Sequence, residues 1–381
     1  MSEEGHPIKI FFVCTGVDLS RRGIESFFRE AFEGLKDAPG LDITLYKGGG
    51  RDGDREKRIR CVPKESRLGR LLGKAIRRSG YVVEQLTFLP GLIKEIRKHR
   101  PAIIFYSDAS VGMNLYKYRN WIGDSYKLLF SNGAPLASPI LMTDHVHQVT
   151  PFYYEQALAV GESVNRNTLV PYGIIVPQGP PLIDPQLRAD VRRKLGLPAD
   201  RKIILSVGAI GMKTHKRMPH LIREVGRMAT PRPFLLLLGP VEEGRIEFTK
   251  LADEVLGHDN YQLTSVPYGH VGEYYKAADV FTLASLSEGF GRVYIEAMIA
   301  GLPCVVHDHP IMRYVLGGLG IHVDMAAPGA CSLALATELS KPFDPAAAIE
   351  RRESVRTRFA WKSLQSDYTA MFRKCVAGAS N

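Results

Sequence analysis

The chain is poor in cysteine: five in 381 residues. Cys14, Cys61, Cys304, Cys331 and Cys375 are far apart and form no Cys-x-x-Cys pair. That spacing excludes a disulfide scaffold or zinc ribbon, and it reads as the reduced core cysteines of a cytosolic protein. No apolar run reaches the ~18 residues a membrane span needs. The opening Met1-Ser2-Glu3-Glu4-Gly5-His6 is polar and acidic, unlike a signal peptide. There is no internal repeat, low-complexity tract, zinc-finger spacing or RNP-type aromatic pattern, so no nucleic-acid partner is expected.

What is present describes a globular protein, with 45% hydrophobic and 24% charged residues in a length that favours two domains. The net charge of +10 is local. Residues 51–100 hold 15 Lys/Arg against 6 Asp/Glu, and concentrated charge points to a partner. Within that window Leu68, Leu71, Leu72, Ala75 and Ile76 recur at helical spacing, with Arg67, Arg70, Lys74, Arg77 and Arg78 on the other side. The favoured expectation is that this helix, 66–79, packs its stripe on a sheet. The alternative is a contact with an anionic membrane or an acidic acceptor.

The most informative stretch is Ala278 to Val306. Val280 to Ala284 is an apolar run suited to a buried strand, Ser285 to Gly291 a small polar loop, and Arg292 to Ala300 a helix ended by Gly301. Such a loop lies at the carboxyl end of a parallel sheet, where open α/β folds bind ligands. Its two glycines let the backbone approach a ligand, and the helix N-terminus favours a phosphate. Glu288 and Glu296 would repel a phosphate and suit hydroxyls instead. A ligand with phosphates and several hydroxyls is a nucleotide sugar; spacing alone is equally compatible with an ordinary βαβ turn carrying two surface glutamates.

Ser287-Glu288-Gly289-Phe290-Gly291, with Glu296-Ala297, Gly301-Leu302-Pro303 and the lead-in Tyr274 to Phe281, resembles the Glu-x7-Glu signature of the retaining GT-B glycosyltransferases, especially glycosyltransferase family 4. The resemblance implies an α/β fold of two Rossmann-like domains facing across a cleft, with a C-terminal helix crossing back to the first domain. The expected divisions are an acceptor-binding domain over 1–170, a nucleotide-sugar-binding domain over 171–350 and a returning helix over 351–381. It implies a metal-independent hexosyltransferase with no cofactor, whose donor is a nucleotide-diphosphate sugar and whose acceptor is a glycan, lipid-linked or small-molecule hydroxyl. The expected location is cytoplasmic, at the inner face of a membrane if helix 66–79 engages one.

Carried over residue by residue, the resemblance assigns Glu288 to the donor-sugar hydroxyls and Glu296 to the ribose. The amides of Gly289, Phe290 and Gly291 and the ammonium of Lys216 fall to the sugar or diphosphate. Ala209 stands where relatives carry an arginine, and Lys213 is the nearby candidate to replace that charge. In the first domain, Arg22-Gly23-Ile24-Glu25 replaces a Gly-Gly-x-Glu sequence and leaves Gly23 as the phosphate-approaching glycine. Asn132 ends the strand on which relatives carry a catalytic-site histidine, and joins Glu288 as a catalytic candidate by position. Asp52-Gly53-Asp54 has the form that metal-dependent glycosyltransferases of a different fold use, but it lies in a basic loop with no apolar strand leading into it, and the pair His145 and His147 lacks further ligands, so no metal is expected. Two alternatives share the architecture: a nucleotide-sugar 2-epimerase, and a catalytically silent protein that binds a glycan or membrane.

Overall fold

A computed structural model describes residues 6–20, 23–123, 125–135, 138–181, 184–241 and 244–378. The chain forms two compact units, Met1–Ile175 with Phe359–Asn381, and Val176–Arg358. Unit 1 is built on seven parallel strands, β1 (Ile8–Cys14), β2 (Leu41–Lys47), β3 (Glu56–Arg58), β4 (Ile103–Tyr106), β5 (Lys127–Asn132), β6 (His145–Gln148) and β7 (Asn167–Leu169), in the order β3-β2-β1-β4-β5-β6-β7. Unit 2 has six, β8 (Ile203–Val207), β9 (Phe234–Leu238), β10 (Tyr261–Thr264), β11 (Val280–Leu283), β12 (Cys304–His307) and β13 (Ile321–Val323), in the order β10-β9-β8-β11-β12-β13. Both sheets are doubly wound: strand order reverses between β1 and β4, and between β8 and β11. Helices cover both faces of such sheets, so central strands are apolar throughout. Ile10 to Val13 and Leu235 to Leu237 are almost wholly buried.

In unit 1 the helices α1 (Gly23–Leu35), α2 (Arg67–Ala75), α3 (Gly80–His99) and α4 (Ala109–Lys117) connect the strands. One face of the sheet packs Phe11, Tyr46 and Ile104 against Phe88 and Leu92 of α3. The other is aromatic: Phe12 and Phe105 have ring centroids 5.1 Å apart, and Phe105 lies 5.1 Å from Phe28 of α1 and 5.8 Å from Phe372. Phe372 belongs to the C-terminal helix Trp361–Ala377, which therefore completes the core of unit 1. Its Trp361 ring fits because Gly34 and Gly173 lack side chains; a Cβ on either would fall 2.3 or 2.5 Å from the indole.

One short strand is silent in the sequence, and one expectation changes. The silent element is the edge strand β3, paired with β2 from Leu45↔Glu56 to Lys47↔Arg58. Its Glu-Lys-Arg sequence carries no apolar signal because an edge strand needs none. The expectation that changes concerns α2. Its buried residues are Gly69 and Gly73, while Leu68, Leu71, Leu72 and Ile76 are exposed. The helix packs through its glycines, where a Cβ would sit 2.4 Å from the Pro63 carbonyl oxygen and 2.7 Å from that of Arg78. The stripe expected on the sheet is not there.

In unit 2 the helices α5 (Met218–Gly226), α6 (Arg292–Ile299) and α7 (Ala330–Ser340) bear on the site. Asp279, before β11, accepts from the Ile203 amide at 2.7 Å and from Arg192 at 2.7 Å, tying the entry of β11 to that of β8. Glu224 of α5 accepts from the amides of Gly329 and Ser332 at 2.9 and 3.1 Å and caps α7. Burial alone would raise the Glu224 pKa; those donors, with the Ser332 hydroxyl, more than offset it and hold the carboxyl below its ordinary value.

Candidate active site

The site in unit 2 lies at the carboxyl ends of β8 and β11, neighbouring strands that pair at Val280↔Ile204 and Phe281↔Leu205. This is the reversal point of the sheet, where diverging connections leave a crevice. Gly208 follows β8, and the chain runs through a loop to α5. A Cβ on Gly208 would come 3.1 Å from Lys216 Cγ, so the missing side chain makes room for the lysine stem. Neighbouring Gly239 is more tightly constrained, since a Cβ there would lie 2.0 Å from the Gly208 carbonyl oxygen.

Lys216 turns back across this floor. Its ammonium donates to Glu288 Oε1 at 2.7 Å and Oε2 at 2.8 Å. Both side chains are largely buried. The lysine comes from the loop after β8 and the glutamate from the loop after β11, 72 residues apart in sequence. Arg217 holds the two loops together from a left-handed backbone conformation, φ 50°. Its guanidinium donates to the carbonyls of Ala284 at 3.2 Å and Met325 at 3.0 Å.

After Glu288 come Gly289, half-buried, and Phe290, buried. Gly291 then starts α6 with φ 81°. A side chain there is doubly disfavoured, by the left-handed φ and by the Tyr294 ring, 2.5 Å from a Cβ. Glu296 follows on α6, half-buried, with the Tyr275 hydroxyl donating to its Oε2 at 3.0 Å. Lys213 is exposed on the loop before α5. The structure thus gathers Lys216, Glu288 and the 289–291 turn at one sheet edge, with Glu296 on the helix that this turn begins.

Gly23 and Asn132 belong to unit 1. Gly23 opens α1, is exposed, and would admit a Cβ without contact; Arg22 before it lies outside the described residues. Asn132 ends β5 and is buried. Its Nδ2 donates to Gln148 Oε1 at 2.8 Å, and its Oδ1 accepts from the Ala134 amide at 3.3 Å. His145 and His147 are buried in β6. His145 Nε2 lies 2.8 Å from Thr168 Oγ1. His147 Nε2 donates to the Val170 carbonyl at 2.7 Å, and its Nδ1 lies 3.1 Å from Ser131 Oγ. Among the described residues, no group of three or more His, Cys, Asp or Glu is placed to hold a metal ion.

Sequence reading missed Arg217 and Tyr275, which act through a left-handed turn and a hydroxyl that no spacing marks. It also missed a cluster at the reversal point of unit 1. There Asp108, Glu84 and Glu25 lie buried around Thr15. Thr15 N–H donates to Asp108 at 2.7 Å, and the Lys64 amide donates to Glu84 at 2.9 Å. Burial, partly offset by Thr15 and reinforced by Glu25 and Glu84, pushes the Asp108 pKa up to about 6.

Residues 188–351 match the family model described as glycosyl transferases group 1. The match lies within unit 2. A D-inositol 3-phosphate glycosyltransferase of Thermobispora bispora is 30% identical over 205 residues, 50% of this chain and 47% of the relative. The chain spans about half the length of the curated relatives it matches, such as this one. Solved structures match across both units. Sucrose-phosphate synthase from Thermosynechococcus elongatus superimposes with TM-score 0.74 at 19% identity, covering 97% of this chain and 99% of its own. Anabaena HepE in complex with UDP-glucose gives 0.71 at 13% identity, covering 96% and 99%. At these identities the likeness establishes the fold, GT-B.

Proposed function

We propose that this chain is a retaining hexosyltransferase that moves a sugar from a nucleotide-diphosphate donor to an acceptor hydroxyl. The observation that carries the reading is the Lys216–Glu288 pair, a buried cation and a hydroxyl-accepting carboxylate within 2.8 Å of each other at the reversal point of the sheet. A diphosphate sugar needs both groups at once. Glu288 accepts hydrogen bonds from hexose hydroxyls, Glu296 from the ribose, and the amides of Gly289, Phe290 and Gly291 approach the sugar or diphosphate. Lys216, aided by Lys213, faces the diphosphate. As the glycosidic bond breaks, negative charge grows on the departing nucleoside diphosphate, and a cation already held there stabilises it without reorganisation. The departing phosphate takes the acceptor proton, so no enzyme nucleophile is required. Gly23 and Asn132 are assigned to the donor phosphate and the reacting sugar from unit 1.

The partners we assign are the donor, an acceptor hydroxyl on a glycan, lipid-linked or small molecule, and an anionic membrane met by residues 66–79. The Anabaena neighbour's ligand, UDP-glucose, makes uridine diphosphate hexoses the first donors to test. In a thermal-shift series over nucleotide sugars, the true donor raises the melting temperature by mass action, and Lys216→Ala removes the shift. No shift with any nucleotide sugar contradicts the reading.

A further inference from the structure

Helix α2 carries the largest unexplained feature of unit 1. Leu68, Leu71, Leu72 and Ile76 are 54%, 65%, 37% and 49% exposed. A nine-residue helix with two glycines is marginal by itself, yet this one is built. Ser66 caps it, accepting the Gly69 amide at 3.0 Å and donating to the Pro63 carbonyl at 2.6 Å. Its glycine side is spent on unit 1, so its apolar side is held outward by the fold. The cations Arg67, Arg70, Lys74, Arg77 and Arg78 are exposed on and just after the same helix, and residues 67–78 contain no acidic side chain. A protein partner with a conventional apolar groove would leave those five charges unmatched.

We infer that α2 is a membrane-insertion element whose leucines enter the outer hydrocarbon of an anionic bilayer while the flanking cations meet the lipid phosphates. This deepens the membrane partner assigned above and is independent of the donor chemistry. Lys64, two residues before the cap, is bonded through its amide to Glu84, and its ammonium donates to Ser20 in the loop after β1 at 3.2 Å. A bilayer that takes α2 therefore lies beside the reversal-point loop of unit 1.

The test is flotation of the full chain with vesicles of equimolar phosphatidylglycerol and phosphatidylcholine, against pure phosphatidylcholine. The chain floats with the anionic vesicles and stays behind with the neutral ones. Leu71→Glu abolishes flotation, Leu71→Ala weakens it, and each of Arg70→Gln and Lys74→Gln lowers partitioning about fivefold. Unaltered circular dichroism and donor thermal shift in these exposed variants separate loss of docking from loss of fold or donor site. Absence of flotation on anionic vesicles, equal flotation on neutral ones, or flotation indifferent to Leu71→Glu overturns the inference. So does a dimer in sedimentation that Leu71→Glu dissociates, because a second copy then covers the stripe.

Discussion

At the scale of single residues, the pair Lys216 and Glu288 is costlier to break than to have. Removing the lysine strands a largely buried carboxylate, whereas removing the glutamate strands a largely buried ammonium, and either costs more than the pair is worth. Lys216→Ala should lower kcat/KM for the donor by about 100-fold or more, the usual scale for one donor aimed at developing charge. Steady-state kinetics check this, and an unchanged kcat/KM counts against the role. Gly291→Ala should cost about 1–3 kcal/mol by forcing a side chain into a left-handed conformation, read from urea unfolding. Both glutamates and the Gly-rich loop were legible from the local order of residues. That Lys216 spans to Glu288 was not, because it depends on the pairing of β8 with β11 and on the Arg217 turn.

At the scale of elements, buried apolar runs such as Ile8–Cys14 and Phe234–Leu238 announce strands because both faces of a central parallel strand are covered. Amphipathic spacing in α2 announces a helix but not which side it packs. The apolar stripe suggested one answer, and Gly69 and Gly73, which let backbone approach backbone, gave the other. Strand β6 offers a pH test. Burial, followed by the charges of Lys374 and Arg166, pulls the His145 pKa down to about 4. Burial does the same to His147, against the pull of the Val170 carbonyl. Their folded values lie below the ordinary 6.5. The stability they contribute is therefore complete above about pH 6.5 and is lost as pH falls towards about 4. Asp108 opposes this, because its raised pKa costs stability as pH rises from 3.8 through about 6. Urea unfolding should show lower stability at pH 5 than at pH 7.5, and Asp108→Asn should widen that gap. A gap that narrows contradicts the assignment.

At the scale of the whole molecule, unit 1 is closed by a segment that follows unit 2 in the chain. Trp361, Tyr368 and Phe372 fill its aromatic face, and the Tyr368 hydroxyl donates to the Pro171 carbonyl at 3.0 Å. Removing residues 359–381 should expose Phe12, Phe27 and Phe105 and unfold or aggregate unit 1, while unit 2 keeps its melting transition in calorimetry. An unaltered unit 1 transition would show that the helix is dispensable. Among the described residues no helix is long and apolar enough to cross a membrane.

Glu288 organises the nucleotide-sugar site that we propose at the β8–β11 edge of unit 2. The most direct measurement is turnover of the donor identified by thermal shift, in wild-type chain and in Glu288→Ala, with circular dichroism confirming that both are folded. Turnover is expected from the wild type, and none above background from the variant. Equal turnover in a folded Glu288→Ala chain would contradict that proposal.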